Sequence, residues 1–376
     1  MDSVKPLNGV RVLDATSGVD GQYCGKLLAA AGAQVTLLEP PEGTATRWRG
    51  PFLPEVPSPE NSLLFRHLNE GKDSVVVDFE SPSGREFLNQ LLENTDIFLH
   101  SGEVLGNVTI PETVIDCTFR DFPTDGPYED WLGTEMIHQA LNGAMFVTGR
   151  IDRPPLYGVG QRAYYSSGVT GYVTVVSALY ERTKSGLGQR VEATVFESAA
   201  AMAQNLATQY SYNGTYSTRE MYPALLAVLR CTDGWVVLFA LRNWAGFCVA
   251  CGAEHMIDDP RFNSPAKRLE NWTLTVEMLQ ESVANLTTAD VVVRGQRAKV
   301  SVEKVLTLRD LLDSEQWAIR GMVHKYNDGA DEYSLGPAFR VGGIDIEPSS
   351  GPPKLGQDTS RVAESIGHSK QDQHFK

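Results

Sequence analysis

The chain has 376 residues, 42% apolar and 21% charged, which is enough for two domains with ordinary globular cores. Its net charge of -14 argues against nucleic acid or an anionic membrane as partner. A phosphorylated ligand, which needs only a local cluster of donors, stays open.

No apolar run approaches the roughly 20 residues of a membrane span, and the opening "MDSVKPLNGVRVLD" has no apolar leader; a cytoplasmic protein is expected. Five scattered cysteines, Cys24, Cys117, Cys231, Cys248 and Cys251, suit a reducing compartment better than a disulfide framework. Cys248 and Cys251 form a lone C-x-x-C. A zinc site needs a second pair, so they read as small buried residues and no metal is expected.

The chain opens on a strand, "GVRVLDA". A Gly-rich turn then enters the Ala/Leu helix "SGVDGQYCGKLLAAAGA", and a second strand, "QVTLLE", ends on Glu39. This is a βαβ unit and implies a parallel sheet. Gly18, Gly21 and Gly25 are spaced G-x-x-G-x-x-x-G, which departs from the dinucleotide fingerprint and leaves Glu39 a weak candidate for a ribose contact. "KDSVVVDF", "SGREFLNQLLENT", "DIFLH" and "ETVIDCTF" continue as strand, helix, strand and strand. A long helix is expected from Gly168, followed by the strand "RVEATVF". "LAVLRCTDGWVVLFAL" reads as a hairpin about Asp233-Gly234. The expected organisation is a doubly wound, Rossmann-like α/β domain over 1–205, a smaller α+β domain over 222–302, and a return to the first domain over 303–376. The last ten or so residues read as frayed.

Between a turn-rich stretch and the long helix lies "GVGQRAYYSSG", a polar cluster at a helix N-terminus with no acid, histidine or cysteine. Its amides near Ser166 and Ser167 are expected to offer an oxyanion site.

The stretches "PLNGVRVLDATSGVDGQYCGKLLAAAGAQVTLLEPPEGTATR", "NEGKDSVVVDFESPSGREFLNQLLENTDIFL", "DGPY", "HQALNGAMFVTG", "ALYERTKSGLGQRVEATVFES", "TDGWVV", "DDPRF", "DSEQWAIRGMV" and "LGPAFRVGG" occur in that order. Together they resemble family III CoA-transferases, the group that includes formyl-CoA transferase and α-methylacyl-CoA racemase. The resemblance implies a large doubly wound domain and a small one, with two chains interlocked like links. CoA or acyl-CoA is then the substrate, and no resident cofactor is implied. It also implies a ping-pong cycle through an aspartate that carries CoA as a thioester.

Counting through "PPLYGVGQRAYYSSG" places that aspartate at Tyr164. A phenol has no carboxyl carbon to become an acyl group, so the usual aspartyl-CoA intermediate is not expected there. The racemase histidine falls on Thr134 and its acidic neighbour on Glu135, with His138 four residues beyond Thr134. Tyr164, Glu135 and His138 are the catalytic candidates. The CoA-binding candidates are Thr16, Ser17, Gly18, Arg47, Lys72 and Tyr128. The family's CoA-loop asparagine is matched by Ser101, and Pro40 and Asp73 stand where basic residues are usual. Its Gly-rich loop has no counterpart near "TYSTREMYPALL".

Three readings follow. The chain acts on acyl-CoA alone, as a transferase family member or through lyase, hydratase or isomerase chemistry. Alternatively it is a non-catalytic subunit paired with an aspartate-bearing paralogue, its own dimer being the other option. Finally, a transferase carboxylate has moved to Glu135 or Asp152.

Overall fold

The structure is a computed structural model and describes residues 5–102, 108–216, 218–219, 226–239, 243–325, 333–336, 339–341 and 350–367. The tail expected to fray, beyond 367, and residues 220–225 of the "TYSTREMYPALL" stretch lie outside the described residues. Two compact units form. The first comprises Met1–Thr148, Pro155–Tyr216 and Arg320–Lys376; the second comprises Gly149–Pro154 and Ser217–Ile319.

The first unit begins β1 (Arg11–Ala15), α1 (Val19–Ala30), β2 (Gln34–Glu39), α2 (Leu63–Asn69), β3 (Asp73–Val76), α3 (Pro82–Leu92), β4 (Ile97–His100) and β5 (Ile115–Arg120). It continues through α4 (Glu135–Leu141), α5 (Arg162–Ser185), β6 (Arg190–Thr194), α6 (Val195–Met202) and α7 (Gln204–Asn213). The six strands form one parallel sheet in the order β3-β2-β1-β4-β5-β6. Parallel strands are buried on both faces, so they are written as continuous apolar runs rather than alternations. Val12, Val35, Leu99 and Cys117 pack with Cys24 and Leu28 of α1 and Val175 of α5. Leu13, Leu38 and Phe98, one residue out of phase, pack against Phe87 and Leu91 of α3.

The glycine spacing in α1 has a packing cause. A Cβ at Gly25 would lie 2.5 Å from Asp14 Oδ2 and 2.7 Å from Lys72 Nζ, so glycine lets the helix sit over that ion pair. Glu39 holds no ribose position. Its carboxylate is buried in a two-point pair with Arg47, Nε–Oε2 2.6 Å and Nη2–Oε1 2.8 Å, and also accepts from Ser74 Oγ at 2.6 Å.

The second unit has β7 (Leu226–Arg230), β8 (Trp235–Phe239), α8 (Trp244–Cys251), α9 (Pro265–Glu270), α10 (Trp272–Val283), α11 (Thr288–Arg297), β9 (Ser301–Lys304), α12 (Leu308–Leu312) and α13 (Glu315–Ile319). β7, β8 and β9 form an antiparallel sheet, and β7 and β8 are the hairpin about Asp233-Gly234. Its core joins Leu229, Val236 and Leu238 to Phe247, Leu279 and Val291. Cys248 and Cys251 are fully buried in that core. Residues 303–319, which the sequence returns to the large domain, belong to this unit. Lys304 Nζ pairs with Asp310 Oδ1 at 3.0 Å, and Thr307 caps α12. Back in the first unit, β10 (Val323–Lys325) pairs with β11 (Tyr333–Leu335), and α14 (Thr359–Ser365) buries Val362 and Ala363 against the α3 face of the sheet.

Candidate functional site

The strand order reverses direction between β1 and β4, and open α/β sheets take ligands at such a point, beyond the carboxyl ends of the strands. Two neighbouring clefts lie there. One, of about 460 Å³, is lined by Ser17, Gly18 and Asp20 at the start of α1, by Asp121 just past β5, and by Tyr164 of α5. Arg49, Arg120 and Trp131 also line it. The other, of about 360 Å³ and mostly apolar, is lined by Thr16, Leu38, Thr44 and Trp48; Ser17 and Ser101 line both.

The polar cluster of the sequence is not a loop. α5 begins at Arg162, so Tyr164, Tyr165, Ser166 and Ser167 are already helical. The amides of Ser166 and Ser167 therefore lie beyond the four free donors of the first helical turn, and the expected oxyanion site is not there. Two of those free donors are the amides of Ala163 and Tyr164, and Glu135 closes them. Ala163 N donates to both of its carboxylate oxygens, at 3.0 and 3.1 Å, and Tyr164 N to one at 3.5 Å. Glu135 also accepts from Gln139 Nε2 at 2.6 Å, and Gln139 Oε1 accepts from Gly158 N at 2.6 Å. Glu135 is thus the cap of α5, supplied from the first residue of α4.

The structure gathers His138 and Tyr164 around a carboxylate that the sequence reading missed. His138 Nε2 and the Tyr164 phenol both donate to Asp121 Oδ1, at 2.9 and 3.0 Å, and Gly133 N donates to Oδ2 at 3.1 Å. The His138 ring stands edge-on to Tyr164, centroids 5.9 Å apart, and its buried Nδ1 has no partner among the described residues. Burial pushes the Asp121 carboxyl up, but the bonds from His138 and Tyr164 outweigh it and hold it below the usual carboxylate range. The Tyr164 phenol is pushed well above its usual value, first by burial and then by the Asp121 charge it donates to. Asp20 goes the other way from Asp121. Burial, aided by the charges of Asp121 and Asp14, lifts its carboxyl to about 7 against hydrogen bonds from the Gly21 and Asp20 amides.

The remaining candidates separate. Ser17 and Gly18 face the cleft. Thr16 is buried, its hydroxyl donating to Asp14 Oδ1 at 2.6 Å, and it borders only the apolar cleft. Tyr128 stacks on Trp131 at 4.1 Å rather than lining either cleft. Tyr165 turns away onto Tyr23 of α1, ring centroids 4.7 Å apart.

Arg47 and Lys72, expected to hold phosphate, have side chains with no exposed surface. Lys72 Nζ is taken by Asp14 Oδ2 at 2.8 Å, the Gln22 carbonyl at 2.8 Å and Asn69 Oδ1 at 2.9 Å; Arg47 is taken by Glu39. Both cations are structural because a buried charge needs its partner more than a surface ligand does. The positive charge on the larger cleft comes from Arg49 and Arg120 instead. Asp152 belongs to the second unit and is exposed, paired with Arg150 at 2.9 Å.

Asp121 and Asp20 carried one usable signal. Each stands at a β-to-α junction on the carboxyl side of the parallel sheet, where such folds place functional groups. The fold and the clefts define a doubly wound α/β protein with two neighbouring clefts at its topological switch point. The pattern of CoA-transferase family III covers residues 7–359, and the chain belongs to that family. It is similar to the succinyl-CoA:glutarate CoA-transferase of Mus musculus, 25% identical, covering 97% of this chain and 87% of that one. It is also similar to the Thauera aromatica succinyl-CoA:(R)-benzylsuccinate CoA-transferase subunit BbsE, 27% identical, covering 95% of this chain and 93% of that one. Among solved structures, a CAIB/BAIF family protein from Brucella suis superposes with a TM-score of 0.86 at 23% identity, covering 97% of this chain and all of that one. No helix among the described residues is long and apolar enough to cross a membrane.

Proposed function

We propose that the protein binds acyl-CoA in the paired clefts at the switch point and acts on it without a covalent aspartate at position 164. The observation that carries this is the state of Tyr164, whose hydroxyl is spent on Asp121 while Glu135 occupies the helix amides behind it. Acid–base chemistry on a bound thioester needs no residue there to carry an acyl group. An ionised Asp121 and an Asp20 whose carboxyl is raised to about 7, so that it keeps a share of its proton near neutrality, are the opposed pair such chemistry uses. Ser17, Gly18, Arg49 and Arg120 are placed to meet the ligand's polar groups, and Glu135 and His138 position the site rather than react. Five buried, unbridged cysteines support a reducing, cytoplasmic setting.

A second reading, in which the chain is one subunit of a heteromeric transferase, is favoured by a particular surface. Val169, Val173 and Tyr180 are exposed along α5, and Leu132 is 91% exposed, so apolar area waits for a cover from a second copy or a paralogue. Calorimetric titration of the purified chain with acetyl-CoA tests the proposal. Micromolar binding, about -8 kcal/mol, is expected. The same sample treated with borohydride should yield no reduced adduct on the peptide containing residue 164. Absence of binding, with binding restored by an aspartate-bearing paralogue, moves the conclusion to the subunit reading.

A further inference from the structure

Asp20 sits in the first turn of α1, only 5% exposed, yet it lines the larger cleft beside Asp121 and Tyr164. Its side chain folds back over the helix N-cap, because a Cβ on Gly18 would come within 2.5 Å of Asp20 Oδ1. Gly18 has φ -96°, which any residue adopts, so this close approach is what calls for glycine at position 18. The amides of Asp20 and Gly21 donate to the carboxyl and occupy acceptor lone pairs. In the acid form, that leaves the O–H as the group with something to give.

Burial first, and then the charges around Asp20, favour that form. Asp14 of β1 and Asp121 past β5 are the charges that act on it most strongly, and both are anions. Lys72 is committed to Asp14 at 2.8 Å. Tyr164 of α5 donates to Asp121, Arg49 and Arg120 line the cleft, and Glu129 and Asp130 add negative charge to the same cleft. A thioester carbonyl oxygen only accepts hydrogen bonds. It matches a carboxylic acid and is repelled by a carboxylate.

We propose that the Asp20 carboxylic acid donates its O–H to the thioester carbonyl oxygen of an acyl-CoA bound in this cleft, which makes Asp20 a catalytic residue. The inference rests on the reading of the cleft as an acyl-CoA site. Charge that builds on that oxygen, whether by attack on the carbonyl or by loss of an α-proton, is stabilised by the same bond.

The test compares the affinity of the full chain for acetyl-CoA with that for S-ethyl-CoA, the thioether that lacks the carbonyl. Titrations run from about pH 5.5 to about pH 8.5, so that Asp20 changes form within the range. Both ligands carry the same phosphates, so phosphate ionisation cancels in the ratio. Acetyl-CoA should bind about tenfold tighter at the acid end, the worth of one good hydrogen bond, and the preference should vanish above pH 7. Asp20→Asn, whose amide donates at every pH, should keep the preference across the range. Asp20→Leu should lack it throughout.

A preference that ignores pH in the parent chain overturns the proposal, as does one that survives in a folded Asp20→Leu variant. Tight binding of both ligands without preference overturns it alone. Binding of neither overturns the acyl-CoA reading and this inference together.

Discussion

Replacing Asp20 by asparagine removes a titration from the folded state and should flatten the pH dependence of stability. The carboxyl moves from the usual 3.8 to about 7 on folding, driven first by burial. Its folded value is raised, so the native chain holds a proton that the unfolded chain releases. The associated stability is complete below about pH 4 and is lost as pH rises toward 7. At about 1.36 kcal/mol per unit the full effect is about 4 kcal/mol, of which about 2.5 kcal/mol falls between about pH 5 and pH 8.

The assay is urea unfolding of both chains at those two pH values, followed by tryptophan fluorescence. Groups remote from position 20 titrate alike in the two proteins, so the difference between them reports position 20 together with the charges coupled to it. The asparagine variant should gain on its parent by about 2.5 kcal/mol from the lower pH to the higher. Two curves that stay parallel would mean that the Asp20 carboxyl is ionised in the fold, and the donor role proposed for it would go with that.

Two further substitutions separate structural from chemical roles. Glu135→Ala should lower stability by about 1–2 kcal/mol in the same urea assay, the usual loss for a helix N-cap. Glu135→Gln, which keeps an acceptor oxygen, should lose less than the alanine variant. Lys72→Met leaves Asp14 buried without its cation and should cost about 3–5 kcal/mol, seen as a lower urea midpoint. A Lys72→Met chain as stable as its parent would show that the lysine is free for a ligand after all.

The sheet was legible because each parallel strand must bury both faces and so advertises itself as an apolar run, as "DIFLH" and "QVTLLE" do. The start of α5 was not legible. Its first turn shows polar residues where amphipathic spacing would show apolar ones, and Gln161 at the N-cap makes no side-chain cap. The group that terminates the free amides is Glu135, 28 residues before Ala163, and no local pattern carries that information. Distance in sequence also misled at Lys72, whose partner Asp14 is 58 residues away. A lysine after a glycine reads as a phosphate donor until its buried partner is known. Asp121 escaped notice for the same reason, since its meaning lies in His138 and Tyr164, 17 and 43 residues further on.

Asp121, His138 and Tyr164 explain how the site is charged with a phenol at position 164. A negative group at the mouth of α5 would be favoured by the helix dipole, and Glu135 already supplies it at the amides. The second anion of the site is carried on the sheet by Asp121, 29% exposed at the side chain, with Tyr164 reaching across to hold it. Three donors fix that carboxylate in the ionised form, and it sits near enough to raise Asp20. With a phenol at 164, the cleft holds the ionised Asp121 beside a carboxyl raised to about 7 at Asp20, and Tyr164 is the tether between α5 and the end of β5. A phenol is suited to the tether and unsuited to carrying CoA, because it can donate a proton but has no carboxyl carbon to acylate.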